Sequence, residues 1–243
     1  MPIVANSLKP AASEGSTMGV LGDTDLERRL EALHGASAAQ EGPTRAWFDE
    51  LFKDGGPPEA EREPKIKAFL ADKMVALEKD KAEFCHQLIR ATGARRIVEI
   101  GTSYGVSTVY LASALKANLA ERGGEGVVIG TEYEPGKAAA ARALYAQAGL
   151  ASLIDLREGD LRVTLNDLQG PIDFVLMDIW IPMVMPAIER VGPHLKAGAV
   201  VVADNTAQVR NDYEPYFAWL AAHGFSTMTL PFAGGLEMSV KGG

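Results

Sequence analysis

A single cysteine, Cys85, leaves this sequence without an internal disulfide or a cysteine-built metal cage. Its four histidines, His34, His86, His194 and His223, lack metal-ligand spacing and read as surface or core-edge residues. Basic charge is also scarce: 24 Lys and Arg stand against 32 Asp and Glu, a net charge of -8, with no basic block. A nucleic-acid backbone is therefore not the expected partner. Long apolar runs are missing, so no segment approaches a membrane span, and residues 1–15 lack the charged and apolar regions of a leader peptide. A soluble, cytoplasmic chain with no membrane partner is expected. Its 243 residues suffice for one α/β domain with a substantial core and an N-terminal appendage.

The most informative stretch is Ile97-Val98-Glu99-Ile100-Gly101-Thr102-Ser103-Tyr104-Gly105-Val106-Ser107. A short, mostly β-branched run, a polar turn with two glycines and a helical pattern read as buried strand, tight loop and helix. Gly101 permits a positive φ or close ligand approach, and Ser103 and Ser107 bring hydroxyls and amides to a helix start. Glu99 near the end of an apolar strand needs a partner. A cationic or hydroxyl-rich ligand over the loop is the expected one. The loop lacks the third glycine of the dinucleotide fingerprint G-x-G-x-x-G, and the next strand-end acid, Glu132, comes too late for it. A glycine-rich turn with no ligand is the plainer alternative. The pattern E-x-G-x-x-x-G resembles the first motif of class I S-adenosylmethionine-dependent methyltransferases, whose ligand carries an ammonium and a sulfonium.

Along the chain, residues 1–22 are small and polar without periodicity, and a flexible tail is expected. Thr24-Asp25-Leu26-Glu27 has the form of a capping box, and Leu26, Leu30 and Leu33 recur at helical spacing, which predicts a helix over 23–39. Gly42-Pro43 and the 55–58 Gly/Pro cluster should break the chain around Trp47, Phe48, Leu51 and Phe52, aromatics expected to pack on the main domain or a second subunit. A helical pattern over 59–92 changes phase near 77–81 and ends at Gly93. Strands are expected at 97–100, 127–131, 152–157, 172–178 and 198–205, alternating with helices, and an edge pair at 225–230 and 236–240 around Gly234-Gly235. This predicts a doubly wound, Rossmann-like parallel sheet with an antiparallel last strand and N-terminal helices.

Four acids, Glu132, Asp160, Asp178 and Asp204, fall at strand carboxyl ends, the edge where open α/β sheets bind ligands. Glu132 suits the two hydroxyls of a ribose, or else is a helix N-terminal acid ahead of Pro135. Asp160 follows the third strand, where an adenine amino group could be met. If the fourth and fifth strands are neighbours, Asp178, Asp204 and Asn205 converge as a hard oxygen site for Mg²⁺ or another divalent cation. The alternative is a turn at Asp204-Asn205 with Asp178 capping the next helix.

From about residue 77 to 240 the chain resembles the metal-dependent O-methyltransferases of the catechol and caffeoyl-coenzyme A type, through Glu99-Ile100-Gly101, Glu132, Asp178-x-Trp180, Asp204-Asn205 and Gly235-Leu236-Glu237. The resemblance implies that Asp178, Asp204 and Asn205 hold the metal and that Asp178 is catalytic. It implies that Glu99, Gly101, Thr102, Ser103, Ser107, Glu132, Asp160 and Asp178 line the S-adenosylmethionine site. Trp180 would bind the substrate ring or flank the adenine, or be core. It also implies a lid before the first strand, near 74–77, so that 23–92 form lid and dimerisation helices and 93–243 the cofactor-binding domain. Where the family usually carries a lysine after the tryptophan this chain has Ile181, which cannot titrate. The apolar stretch 181–186 reads as a pocket wall or as a helix face packed on the sheet.

The expected function is methyl transfer to a small, hydroxylated, catechol-like acceptor by a homodimer. Its rivals are a metal-independent methyltransferase on an amine, carboxylate or other acceptor, and a cofactor-binding protein without catalysis.

Overall fold

Residues 19–243 are described by the computed structural model, so most of the expected 1–22 tail lies outside the described residues. Residues 19–22 form a turn. The amides of Gly19 and Leu21 donate to the Glu27 carboxylate at 3.2 and 3.0 Å, and Val20 and Leu21 pack on the core. The cap of the first helix is Asp23, whose carboxylate accepts from the amides of Asp25 and Leu26, rather than Thr24 in a capping box.

That helix, α1, runs Thr24–Leu51 as one unit, through Gly42 and Pro43. The expected break fails because the turns after Pro43 are held from outside the helix. Trp47 stacks on Phe69 at 3.9 Å between ring centroids, with Phe48 edge-on to both. Such aromatic packing offsets the roughly 3 kcal/mol that an interior proline costs. The aromatics thus pack on α2, Glu59–Leu70, and not on the sheet. After α2 the chain leaves helical geometry at 71–78, earlier than the expected break at 77–81, and α3 spans Lys79–Thr92.

The alternating core consists of β1 (Arg96–Ile100), α4 (Val106–Arg122), β2 (Val127–Glu132), α5 (Pro135–Gln147), β3 (Ile154–Glu158), α6 (Leu161–Thr164), β4 (Ile172–Met177), α7 (Val184–Val191), β5 (Leu195–Asp204), α8 (Glu214–Ala222), β6 (Phe225–Leu230) and β7 (Leu236–Lys241). The short α6 has no apolar periodicity long enough to be read from sequence. Pro182 opens a 3₁₀ turn, Ile181–Met183, before α7 begins. Among the described residues the sheet order is β3-β2-β1-β4-β5-β7-β6, parallel from β3 to β5, with β7 antiparallel to both β5 and β6. Both faces are covered, as the runs of buried aliphatics require.

Strand periodicity assigns every side chain to a face. Ile97, Phe174, Leu176, Val200 and Val202 join the core shared with α1, α3 and α4, whereas Val98, Ile100, Val175, Met177, Val201 and Ala203 join the core under α6, α7 and α8. The same parity puts Glu99 and Asp204 on the α3/α4 face. Ile181, Met183 and Met185 pack part of their surface against the opposite core, as expected of a helix face packed on the sheet.

Candidate functional site

Three residues of the β1–α4 loop take positive φ: Gly101 at 91°, Ser103 at 51° and Gly105 at 82°. The loop is pinned to β2 by Thr102 N–H on the Thr131 carbonyl at 2.9 Å and by Gly101 N–H on Thr131 Oγ1 at 3.2 Å. Beside it lies a narrow crevice, too tight for a water molecule, walled by the loop, Asp178, and Met74, Val75 and Ala76 from the 71–78 connection. That connection is tied down by Tyr104, whose hydroxyl donates to the Asp72 carbonyl at 3.0 Å.

Glu99 is wholly buried and finds its partners within the chain. Its carboxylate accepts from Thr102 Oγ1 at 2.8 Å, Ser107 Oγ at 2.7 Å and Thr108 Oγ1 at 2.5 Å, and Tyr145 donates to Thr108 behind it. The ligand expected to satisfy Glu99 is therefore replaced by three hydroxyls, two of them from residues assigned to the cofactor. Burial pushes the Glu99 carboxyl up to about 7 against the opposing pull of those hydroxyls.

Glu132, at the end of β2, accepts from Ser103 N–H and Glu134 N–H, each at 2.8 Å. One lone pair per oxygen is left for a ligand. Burial raises its carboxyl above the usual range, with backbone donors and Lys137 opposing. Ser103, held by Glu132 through its amide, has a buried hydroxyl with no partner.

Asp160 departs from expectation. It caps α6 through Arg162 N–H at 2.9 Å, and the Arg162 side chain grips both its oxygens, holding the carboxyl down at about 2. Its acceptor capacity is turned to Arg162 rather than toward an adenine amino group. Trp180 is half-buried at the start of the 3₁₀ turn.

Asp178 and Asp204 follow Met177 and Ala203, which face each other across β4 and β5. The two strand ends are thus neighbours, as expected of parallel β4 and β5. Burial, then mutual repulsion, raises the Asp178 carboxyl well above the ordinary value. A residue absent from the sequence reading completes the cluster. Lys81 of α3 places its Nζ 2.6 Å from Asp204 Oδ1 and 2.8 Å from Glu78 Oε2. Burial pulls that ammonium down, but the two carboxylates outweigh it and hold it charged. Asn205 donates through Nδ2 to Asp204 Oδ2 at 2.8 Å. A signal for Lys81 exists in the sequence: it stands four and eight residues before Cys85 and Ile89, on the buried stripe of α3.

Residues 98–206 match a family described as a methyltransferase domain. Over 132 residues the chain is 33% identical to catechol O-methyltransferase of Mycobacterium tuberculosis (strain ATCC 25618 / H37Rv), which covers 54% of this chain and 57% of that protein. Over 133 residues it is 29% identical to caffeoyl-CoA O-methyltransferase 1 of Zea mays, covering 52% and 49%. The chain thus spans about half the length of the curated relatives it matches. Among solved structures it is similar to the O-methyltransferase TomG from Streptomyces achromogenes in complex with SAM (TM-score 0.61, 24% identity, 82% of this chain and 95% of that one). It is likewise similar to an O-methyltransferase from Bacillus cereus in complex with SAH (TM-score 0.61, 20% identity, 86% and 99%). These structural likenesses show a shared Rossmann-like fold.

Proposed function

We propose that this chain is an S-adenosylmethionine-dependent O-methyltransferase acting on a small hydroxylated, catechol-like acceptor. The observation that carries the reading is the β1–α4 cradle. Ser103 is anchored by Glu132 through its amide while its buried hydroxyl lacks a partner, in a cleft bounded by Asp178. A donor molecule with ribose hydroxyls and a charged amino-acid end fits that chemistry, and the likeness to catechol and caffeoyl-CoA O-methyltransferases supports the reaction class.

Held there, S-adenosylmethionine would supply a sulfonium methyl group for transfer to an acceptor oxygen, with S-adenosylhomocysteine as the leaving product and the hydroxyl proton released to solvent. The chain's contribution is positioning. Glu132 fixes the Ser103 turn, Gly101 lets the Asp178 carbonyl close over the loop, and Asp178 and Asp204 define the acceptor end. As it stands the crevice has no room even for a water molecule, far below the usual size of ligand pockets, so the 74–76 segment must yield when the donor binds. On this reading residues 23–92 serve as lid and dimerisation helices and 93–243 as the cofactor-binding part.

The divalent cation implied by the resemblance does not fit the residues as they stand. Among the described residues no group of three His, Cys, Asp or Glu side chains is gathered to hold a metal. Both oxygens of Asp204 already accept from nitrogen donors, Lys81 and Asn205. No step is therefore routed through a metal.

Isothermal calorimetry with S-adenosylmethionine, followed by detection of S-adenosylhomocysteine across a panel of hydroxylated aromatics, tests the proposal. Donor binding with turnover on at least one hydroxyl acceptor is expected. No heat on adding the donor would overturn it, as would turnover confined to amines or carboxylates.

A further inference from the structure

Lys81 has none of its surface exposed, although lysine is among the residues least often buried. Its placement follows from α3: the stripe that carries Cys85 and Ile89 into the core carries one ammonium to the carboxyl edge of the sheet. There it lies between two carboxylates, Asp204 Oδ1 at 2.6 Å and Glu78 Oε2 at 2.8 Å. A buried ammonium persists only when paired, and a buried aspartate only when neutralised, so each explains the other.

The rest of the cluster is arranged around that pair. Asp204 Oδ2 is occupied by Asn205 Nδ2, so Asn205 turns a donor rather than an acceptor toward Asp204. Asn205 itself sits at a positive φ of 58°, and its Oδ1 lies close over Gly234, 2.6 Å from where a Cβ would stand. The Tyr213 hydroxyl donates to the Asp204 carbonyl at 3.0 Å, fixing the end of β5. A divalent ion such as Mg²⁺ requires free oxygen ligands at about 2.1 Å in near-octahedral array. To enter, it would have to expel Lys81 from Asp204 and leave the ammonium in a buried position with Glu78 alone.

We propose that Lys81 is the built-in cation of this site: its ammonium neutralises Asp204 beside Asp178, in the seat where a divalent metal would bind, and the site operates without one. Lys81 acts as a positioning residue, holding the Asp204 end of β5 to α3 and Glu78 at the acceptor end of the cleft. The proposal rests on the reading of Asp178 and Asp204 as the acceptor end, and its test is independent of turnover.

The probe is Mn²⁺, followed by the electron paramagnetic resonance signal of the free aqua ion as full-length protein is added. The wild-type protein is expected to leave that signal unchanged at millimolar Mn²⁺. Lys81→Met keeps an unbranched stem one atom shorter, removes the charge and vacates the seat. It is expected to bind Mn²⁺ at least about tenfold more tightly than wild type, as removal of one adjacent positive charge implies, and Lys81→Met with Asp204→Asn should lose that binding again. Stoichiometric Mn²⁺ binding by the wild type that disappears in Asp204→Asn would overturn the proposal. So would a folded Lys81→Met protein, verified by circular dichroism, that gains no affinity. If Lys81→Met does not fold, the wild-type titration decides alone, in either direction. Calorimetry with S-adenosylmethionine on the same wild-type sample separates this outcome from the functional reading: absence of donor binding rejects that reading and leaves the Mn²⁺ result standing.

Discussion

The carbonyl oxygen of Asp178 closes over Gly101, 2.0 Å from the point where a Cβ would be attached. This contact joins the two loops at the centre of the sheet, because Asp178 N–H also donates to the Ile100 carbonyl at 2.9 Å. Gly101→Ala therefore meets two penalties, a side chain at φ 91° and a clash with backbone that has no freedom to rotate away. A loss on the order of 3 kcal/mol is expected, which for a chain of this size lowers Tm by roughly 10 °C. Gly136→Ala is the control, in the first turn of α5 with nothing within 4 Å of its Cβ, and should be neutral or slightly stabilising. Equal thermal melts for the two variants would show that the approach of Asp178 is not what fixes residue 101 as glycine.

Glu99 gives the fold a pH dependence. Its carboxyl stands at about 7 in the folded protein against an ordinary 4.5, chiefly through burial. A raised acid means that the folded state binds the proton more tightly than the unfolded state. Stability from this group is therefore fully present below pH 4.5, declines as pH rises to about 7, and is flat above. The span amounts to an upper bound on the order of 3 kcal/mol. Glu99→Gln removes the titration, so the difference between wild-type and variant urea-unfolding free energies should drift across that window. A difference independent of pH from 4.5 to 8 would refute the assignment.

Much of the architecture is legible in the sequence because it depends on local pattern. The apolar runs of β1, β2, β4 and β5 can be placed only in a sheet buried on both sides, and acids that end such runs must lie on its carboxyl edge. The features that escape such a reading depend on partners distant in sequence. Asp204 and Lys81 are 123 residues apart, and the α3 stripe that buries Lys81 does not say which acid it meets. Pro43 reads as a breaker until Phe69 is found stacked on Trp47. Asp160 is the opposite case: its position at a strand end suggests a ligand, although its partner Arg162 is only two residues away and a local cation is in reach.

The Met74–Ala76 part of the covering segment is anchored to α1 by two polar side chains. Ser37 Oγ donates to the Met74 carbonyl and accepts from Ala76 N–H, both at 3.1 Å, while Gln40 Oε1 accepts from Met74 N–H. Ser37→Ala leaves the Ala76 amide without its acceptor, a local cost of about 1–2 kcal/mol. Because the segment belongs to no helix or strand, its loosening is local: hydrogen exchange at Ala76 should quicken by roughly tenfold, with little change in Tm. Unaltered exchange at Ala76 would mean that the segment is held from elsewhere.

Ser103 and Glu132 allow structural and ligand roles to be separated. The Ser103 hydroxyl is buried and unpartnered, so Ser103→Ala removes nothing that the unliganded chain uses and relieves a desolvated polar atom. Its melting temperature should hold or rise slightly, while S-adenosylmethionine affinity falls by about fivefold to tenfold, the worth of one hydrogen bond. Glu132→Gln behaves differently. Each Glu132 oxygen accepts from one amide, Ser103 N–H or Glu134 N–H, and a glutamine offers one oxygen and one donor group, so one amide must face a donor. That variant should lose both stability, by about 1–3 kcal/mol, and donor affinity. Melts and calorimetry on the two variants form a crossed comparison. If Ser103→Ala lowers Tm as much as Glu132→Gln while binding the donor normally, the Ser103 hydroxyl belongs to the fold and the cradle has lost its ligand-facing donor.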